Sequence, residues 1–209
     1  FVPNPQHYIR YGGGWTNHKF SPGATNFEFQ QSGFNLDTTI GGAEIFSNEA
    51  FAYVEDEWNV NENFKIGYGL HLNTLFVENT TYSRLQPRIG MNYSLPGDIA
   101  LKASYADMMQ TVNLLTNEGL GLPTDLWVPS TANLKPQTSQ QYAAGLAKNI
   151  GPYEFSIEGY YKDMQNLVSY REGASFLFSV DDESWEDKVT QGQGTSYGME
   201  FFAQKKAGK

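Results

Sequence analysis

The sequence predicts an all-β chain, folded as an antiparallel up-and-down meander of about eight strands. Three features predict it. Apolar residues recur at every second position through several runs of about ten residues, the period of a strand with one apolar face. Gly 21, Tyr 13 and Phe 14 supply turn formers and strand formers in quantity. Long apolar helical patterns are few, and no run approaches the roughly 20 apolar residues of a membrane helix.

Taken in order, the first strand spans about 7–18 and is interrupted by Gly12, Gly13 and Gly14, where three glycines in a row predict a bend or bulge. From 21 to 46 no period holds, and a long loop with room for a short hairpin is expected. The second strand, 49–58, has muddled alternation and ends at the polar turn Asn59 to Asn63. In the third, 64–75, Phe64, Ile66, Tyr68, Leu70 and Leu72 hold one face against Lys65, Gly67, Gly69, His71 and Asn73. With 40% hydrophobic residues, five chosen positions are all apolar by chance about once in a hundred.

Residues 76–84 are expected to form a loop. The strand 85–95 then places Leu85, Pro87, Ile89, Met91, Tyr93 and Leu95 opposite Gln86, Arg88, Gly90, Asn92 and Ser94. After Pro96, Gly97 and Asp98, the strand 99–109 resumes with Ile99, Leu101, Ala103 and Tyr105 against Lys102 and Ser104. Two strands and a tight reversal make a hairpin. The stretch 110–137 is a long loop with Pro123, Pro129 and Pro136 around an apolar Leu126, Trp127 and Val128. The strand 138–150 carries Tyr142, Ala144 and Leu146 on one face, and Gly151 and Pro152 turn it. The strand 153–164 sets Tyr153, Phe155, Ile157 and Tyr161 against Glu154, Ser156, Glu158, Tyr160 and Lys162. A long loop, 165–195, precedes the last strand, 196–204, with Tyr197, Met199 and Phe201 on one face.

Connections in this reading alternate between long and short, so all short turns lie at one end of the sheet. A soluble barrel or sandwich has no reason to segregate its loops this way. Transmembrane barrels do, with short turns on one side of the membrane and long loops on the other. The apolar rows are therefore expected to face lipid, and the chain to be part of a transmembrane β-barrel. Lys65, Arg88, Asn92, Lys102, Glu158 and Glu200 fall on the opposite face and are expected to line the lumen. An outward Arg or Lys at mid-depth costs about 2–4 kcal/mol. Trp58, Phe64, Tyr93 and Tyr153 near the short turns, and Trp15, Tyr105, Tyr161 and Tyr197 toward the long loops, are expected to sit at the membrane interfaces.

A net charge of -9 argues against a nucleic-acid partner, which needs clustered Lys and Arg. With Cys 0 there are no disulfides, thiolate metal sites or cysteine nucleophiles. His7, His18 and His71 lack metal-ligand spacing, and Glu158 with Glu200 has no neighbouring nucleophile, so neither a metal site nor a catalytic residue is expected. The acids Asp181, Asp182, Glu183, Glu186 and Asp187 around Trp185 are expected to be a solvated loop. Gly12 to Gly14 is no phosphate loop, because no helix follows. Leu126 and Trp127, with Trp185 on the next long loop, are the expected ligand contacts, as apolar residues on long loops.

From Pro136 onward the sequence resembles the barrel of a TonB-dependent outer-membrane receptor. Pro136, Thr138, Ser139, Tyr142 and Gly145 resemble the strand after a large outer loop, Glu158 to Leu167 the next strand and its exit, and Gly194, Tyr197, Gly198 and Glu200 the strand beyond. The likeness extends back through the preceding hairpin to about residue 49. Ala143 stands where that family often has Glu, and Gln191 where it often has Asn. The resemblance implies a receptor, not an enzyme, that imports a bulky nutrient such as an iron chelate, a cobalamin or a glycan. It implies outer-membrane lipid, the nutrient, a surface lipoprotein and the TonB complex as partners, the last through parts not in this sequence, and no cofactor. Nothing here resembles a plug, and both ends read as cut, so a middle section of a receptor barrel is expected. Two other readings stand beside it: a complete small eight-stranded barrel for adhesion or anchoring, and a soluble β-sandwich that binds carbohydrate.

Overall fold

A computed structural model describes the chain except residues 23–24, 32–33, 41–43, 116–125, 172–184 and 207–209, and describes side chains outside 23–43. The strands are β1 (His7–Phe20), β2 (Thr25–Gln31), β3 (Phe34–Ile40), β4 (Ile45–Asn61), β5 (Phe64–Val77), β6 (Thr80–Leu95), β7 (Ile99–Gln110), β8 (Val112–Leu115), β9 (Leu126–Pro129), β10 (Gln137–Ile150), β11 (Tyr153–Tyr170) and β12 (Val189–Lys205). A 3-10 turn, Trp185–Lys188, leads into β12. Eight strands form one antiparallel sheet in the order β1, β4, β5, β6, β7, β10, β11, β12, with β1 and β12 at its edges. The pairs β2 with β3 and β8 with β9 are separate hairpins in the long connections.

The eight expected strands are the eight of the main sheet, but several run further. β4 and β12 have 17 residues each, about 56 Å of extended chain. Even tilted by about 45°, that outreaches a hydrocarbon layer of about 30 Å. The strands therefore project past the apolar band at the long-loop end, and there the expected boundaries fail. The expected loop 76–84 is strand on both sides of a two-residue turn at Glu78 and Asn79, with Val77 opposite Thr80 and Thr74 opposite Ser83. The expected loop 165–195 likewise gives up its ends to β11 and β12. β11 is bent at a bulge between Gln165 and Leu167, where Asn166 takes φ 58. Loop 21–46 holds the β2–β3 hairpin, and loop 110–137 the β8–β9 hairpin.

Gly12, Gly13 and Gly14 make no bulge, since β1 pairs with β4 in unbroken register. Their use is in packing. A Cβ on Gly12 would lie 2.9 Å from the Tyr53 ring, and one on Gly14 2.7 Å from that of Phe51. Two rings of β4 thus lie flat across β1, which only glycine permits.

Among the described residues the buried apolar core is small, and all of it is at the long-loop end: Ile45, Leu75, Val77, Leu115, Val128, Leu134, Trp185 and Val189. Ile45, Leu75 and Val77 sit in the upper wall on the same face as Glu49, Asn73 and Ser47, and the loop residues pack down on that face. The outward neighbours in the same strands, Leu70, Leu72 and Phe76, are left uncovered. The described loop residues fold inward over the polar side of the sheet, and among the described residues none packs over Leu70, Leu72 and Phe76 on the apolar side. Among the described residues the only sheet packed on this one is the two-stranded β8–β9 hairpin, and no sheet of comparable size faces it, as a sandwich would require.

Candidate functional site: the inner wall and its cap

Strand alternation and register give the wall two chemically distinct faces. On the outer face one run of opposed residues is Trp58, Ile66 and Met91, and another is Val54, Leu70 and Pro87. Leu70 and Met91 are each 45% exposed, far from the packed centre a soluble body would give them. Tyr105, Tyr142, Tyr161 and Tyr197 are opposed in turn across four strands, and the first two rings lie 4.9 Å apart. All the aromatic residues expected at the interfaces stand on this face. Trp58, Phe64, Tyr93 and Tyr153 lie close to the short turns, and Phe64 packs edge-on against Tyr93 at 5.7 Å. Because β11 and β12 run past their expected ends, Tyr161 and Tyr197 stand near the middle of theirs, and Tyr105 stands near the middle of β7.

Polar groups interrupt the outer face: Lys148 lies opposite Ile99 and Phe155, Asp107, Gln140 and Asp163 are opposed one step beyond the tyrosine row, and Asp56 stands in β4. Asp56 lies opposite Ile9 and Tyr68, and its Oδ2 is 2.6 Å from His7 Nδ1 and accepts the Tyr68 hydroxyl at 2.9 Å. His7 stacks on Trp58 at 5.5 Å, so Asp56 is buried beneath its partners. The muddled alternation of Glu55, Asp56 and Glu57 was the only sequence trace of this.

The inner face is charged. Lys65, Asn92, Lys102, Gly145, Glu158 and Glu200 are opposed in sequence across β5, β6, β7, β10, β11 and β12. Five of the six expected lumen residues thus occupy one row, and Arg88 stands four residues further along β6. Arg88 reaches Glu55 at 3.5 Å, and Arg10 reaches Glu55 at 3.3 Å and Glu57 at 2.9 Å. Together with Lys65, Asn92, Lys102 and Glu158 they line a hollow of about 760 Å³. Nearer the loops, His71 stacks on Phe51 at 5.6 Å and on Tyr53 at 6.2 Å.

Above the hollow, the β6–β7 ladder stops at Arg88 opposite Ala106, one residue short of Pro87, which has no N–H to offer. Side chains replace the missing ladder. Arg84 forms a two-pronged pair with Asp107, at 2.6 and 2.7 Å, and Gln86 Oε1 accepts the Met109 N–H at 3.1 Å. The loops are pinned over this region as a cap. The Tyr82 hydroxyl donates to the Thr131 carbonyl at 2.9 Å, and burial, with the Glu186 carboxylate adding, pushes that phenol up from its ordinary pKa. Glu186 ties the two long loops together by accepting from Thr131 Oγ1 and, at 2.7 Å, from Asn133 Nδ2. Gln191 donates to the carbonyls of Lys135 at 2.7 Å and Asn166 at 3.2 Å, clasping loop, bulge and β12.

Of the expected ligand contacts, Trp127 is 58% exposed, whereas Trp185 is 8% exposed inside the core of the cap and Leu126 packs against that core. The β8–β9 hairpin is two-sided: Leu115 and Val128 are buried below, while Leu114 lies opposite Trp127 above. Asp181, Asp182 and Glu183 lie outside the described residues, and the described ones hold no cluster of three metal-ligating side chains.

An uncovered apolar face, a charged inner face and inward-folded loops at one end define the wall of a transmembrane β-barrel. The family described as TonB dependent receptor-like, beta-barrel, matches residues 3–205, and the chain belongs to it. It is a protein of the bacterial outer membrane, of a family of transport receptors. Similar solved structures include the FrpB iron transporter from Neisseria meningitidis (TM-score 0.64, 13% identity, covering 99% of this chain and 32% of that one). The copper transporter OprC (0.61, 15%, 97% and 33%) and the siderophore receptor PirA from Acinetobacter baumannii (0.56, 16%, 94% and 29%) are also similar. Identities this low show the shared fold alone, and the chain spans about a third of each of these structures. Among the curated proteins, none matches the sequence.

Proposed function

We propose that this chain is part of the wall of a receptor that takes up a bulky nutrient across the outer membrane, driven by the TonB complex. The observation that carries the reading is the division of faces: Leu70 and Met91 uncovered outside, Arg10, Arg88, Lys65 and Lys102 inside a hollow, and a folded cap over the inner side alone. In this reading Lys65, Arg88, Asn92, Lys102, Glu158 and Glu200 line the lumen. Trp58, Phe64, Tyr93, Tyr105, Tyr153, Tyr161 and Tyr197 contact lipid from the interfaces inward. Trp127, with Leu114 beside it, offers the ligand an apolar step held rigid from below, and Trp185 serves by anchoring the cap. An iron chelate is the favoured cargo class, since family members of the same fold include an iron transporter and a siderophore receptor.

The test is uptake by the full receptor in cells with and without TonB, supplied with iron chelates, cobalamin or oligosaccharide as the limiting nutrient. Growth on one of these that needs both the receptor and TonB is expected. Growth that needs the receptor but not TonB would overturn the proposal.

A further inference from the structure

We propose that Lys65, Asn92 and Lys102 form a binding step for an oxyanion, the carboxylate or phosphate group of a solute moving along the inner wall. The inference rests on reading that face as the lumen. Asn92 lies opposite Lys65 on one side and opposite Lys102 on the other. Three side chains on consecutive strands thus rise from one face, with the lysine Cα atoms about 10 Å apart. Two flexible ammonium stems can converge on one anion across that distance, and the Asn92 amide supplies a further donor between them. All three are exposed and line the same hollow.

What singles them out is their register together with the pairing of the arginines. Lys162 on this face also lacks a carboxylate partner among the described residues but stands between Gln141 and Ser196, whereas Lys65 and Lys102 flank one amide. Arg10, Arg84 and Arg88 on this face are each joined to a carboxylate. Lys65 and Lys102 have none within ion-pair distance among the described residues. Carboxylates are not scarce, since Asp+Glu 23 outnumber Lys+Arg 14. Lys102 even has one in line: Glu158 stands two strands away with Gly145 between them, and its stem lies where a Cβ on Gly145 would meet it at 3.4 Å. The same arrangement joins Glu55 to Arg88 over Gly69. Over Gly145 the pair is not made, and the ammonium stays available to a ligand.

The experiment labels lysines of the full receptor in detergent micelles with a water-soluble, membrane-impermeant acylating reagent and reads each site by peptide mass spectrometry. Inorganic phosphate and citrate are the probes, with chloride at equal ionic strength as the reference. Labelling of Lys65 and Lys102 is expected to slow by about threefold once the probe exceeds its dissociation constant twofold, following 1 + [L]/Kd. Lys162, on another row of the same face, should not change. Asn92→Ala should reduce the protection at both lysines. Slowing by phosphate alone or citrate alone tells which oxyanion the step prefers, and supports it. Equal slowing at Lys162, or none anywhere, overturns it. So does resistance of both lysines to the reagent in chloride, which would mean that polypeptide covers them. Labelling of these lysines only by a lipid-soluble reagent would instead sink the lumen reading itself.

Discussion

Arg88 and Glu55 meet at 3.5 Å although β5 runs between their strands. Gly69 is the residue between them in register. Without a side chain there, the Glu55 stem crosses β5 along its surface, and a Cβ on Gly69 would fall 2.7 Å from Glu55 Cγ and 2.9 Å from the Val54 carbonyl oxygen. The glycine makes a charge pair possible between alternate strands of the wall.

Gly69→Ala is therefore expected to cost about 1–3 kcal/mol by overpacking and to break the Arg88–Glu55 pair. Gly67→Ala, two residues away where a Cβ meets nothing within 4 Å, should be neutral or gain about 0.4–1 kcal/mol. Urea unfolding in detergent, followed by the folded band on unheated gels, compares the two. Equal effects would mean the contact with Glu55 is immaterial.

Lipid exposure of the apolar rows predicts a depth-graded penalty. Leu70→Arg, at mid-strand, should cost about 2–4 kcal/mol, and Leu101→Arg, near the short turn, closer to about 1 kcal/mol. Arg88→Leu should be tolerated better than either, because it removes an inward charge and adds nothing to lipid. Folded receptor recovered from outer membranes measures the order, and better recovery of Leu101→Arg than of Arg88→Leu would mean the faces are exchanged.

Tyr82→Phe keeps the ring against the cap but removes the hydroxyl bonded to the Thr131 carbonyl. A loss of about 0.5–1.5 kcal/mol in local stability is expected. Glu186→Ala, which frees both Thr131 and Asn133, should loosen the cap more. Amide hydrogen exchange at 126–134 is the readout, with the lower halves of β5 and β6 as unchanged controls.

At the short-turn rim, Glu154 accepts from Gln204 at 2.7 Å and pairs with Lys206 at 3.0 Å. The Gln204 hydrogen bond, then that of Lys206, lowers its pKa in the folded state. A carboxyl with a depressed folded value stabilises above its unfolded pKa, and loses that contribution as pH falls through the folded one. Glu154→Gln should thus be slightly less stable than the parent at neutral pH, converge with it once pH falls below the folded value, and so flatten the acid limb between those two values. A profile parallel to that of the parent would refute the role.

The sequence revealed the faces more readily than the edges. Alternation of Ile66, Met91 and Leu101 with Lys65, Asn92 and Lys102 is a property of single strands, and it survived intact. Residues 76–84 were misread because outside the apolar band neither face needs apolar residues, so Thr80, Thr81 and Ser83 look like loop while forming strand. Their turn was hidden too: Glu78 takes φ 50, a conformation in which Gly or Asn is the usual signal. Trp185 looked like an exposed loop aromatic because burial in the cap depends on Leu75, Val77 and Val128, distant in sequence. Neither the row from Lys65 to Glu200 nor the bridge over Gly69 could be foreseen, since both depend on register between strands.

The most direct measurement of the central claim uses the absence of cysteine from this chain. Spin labels placed one at a time at Leu70, His71, Leu72, Met91 and Asn92 of the full receptor in lipid bilayers report access to dissolved oxygen and to a water-soluble nickel chelate. Labels at 70, 72 and 91 should favour oxygen and those at 71 and 92 the chelate, alternating residue by residue. Chelate access at 70, 72 and 91, or no alternation, would contradict the assignment of faces.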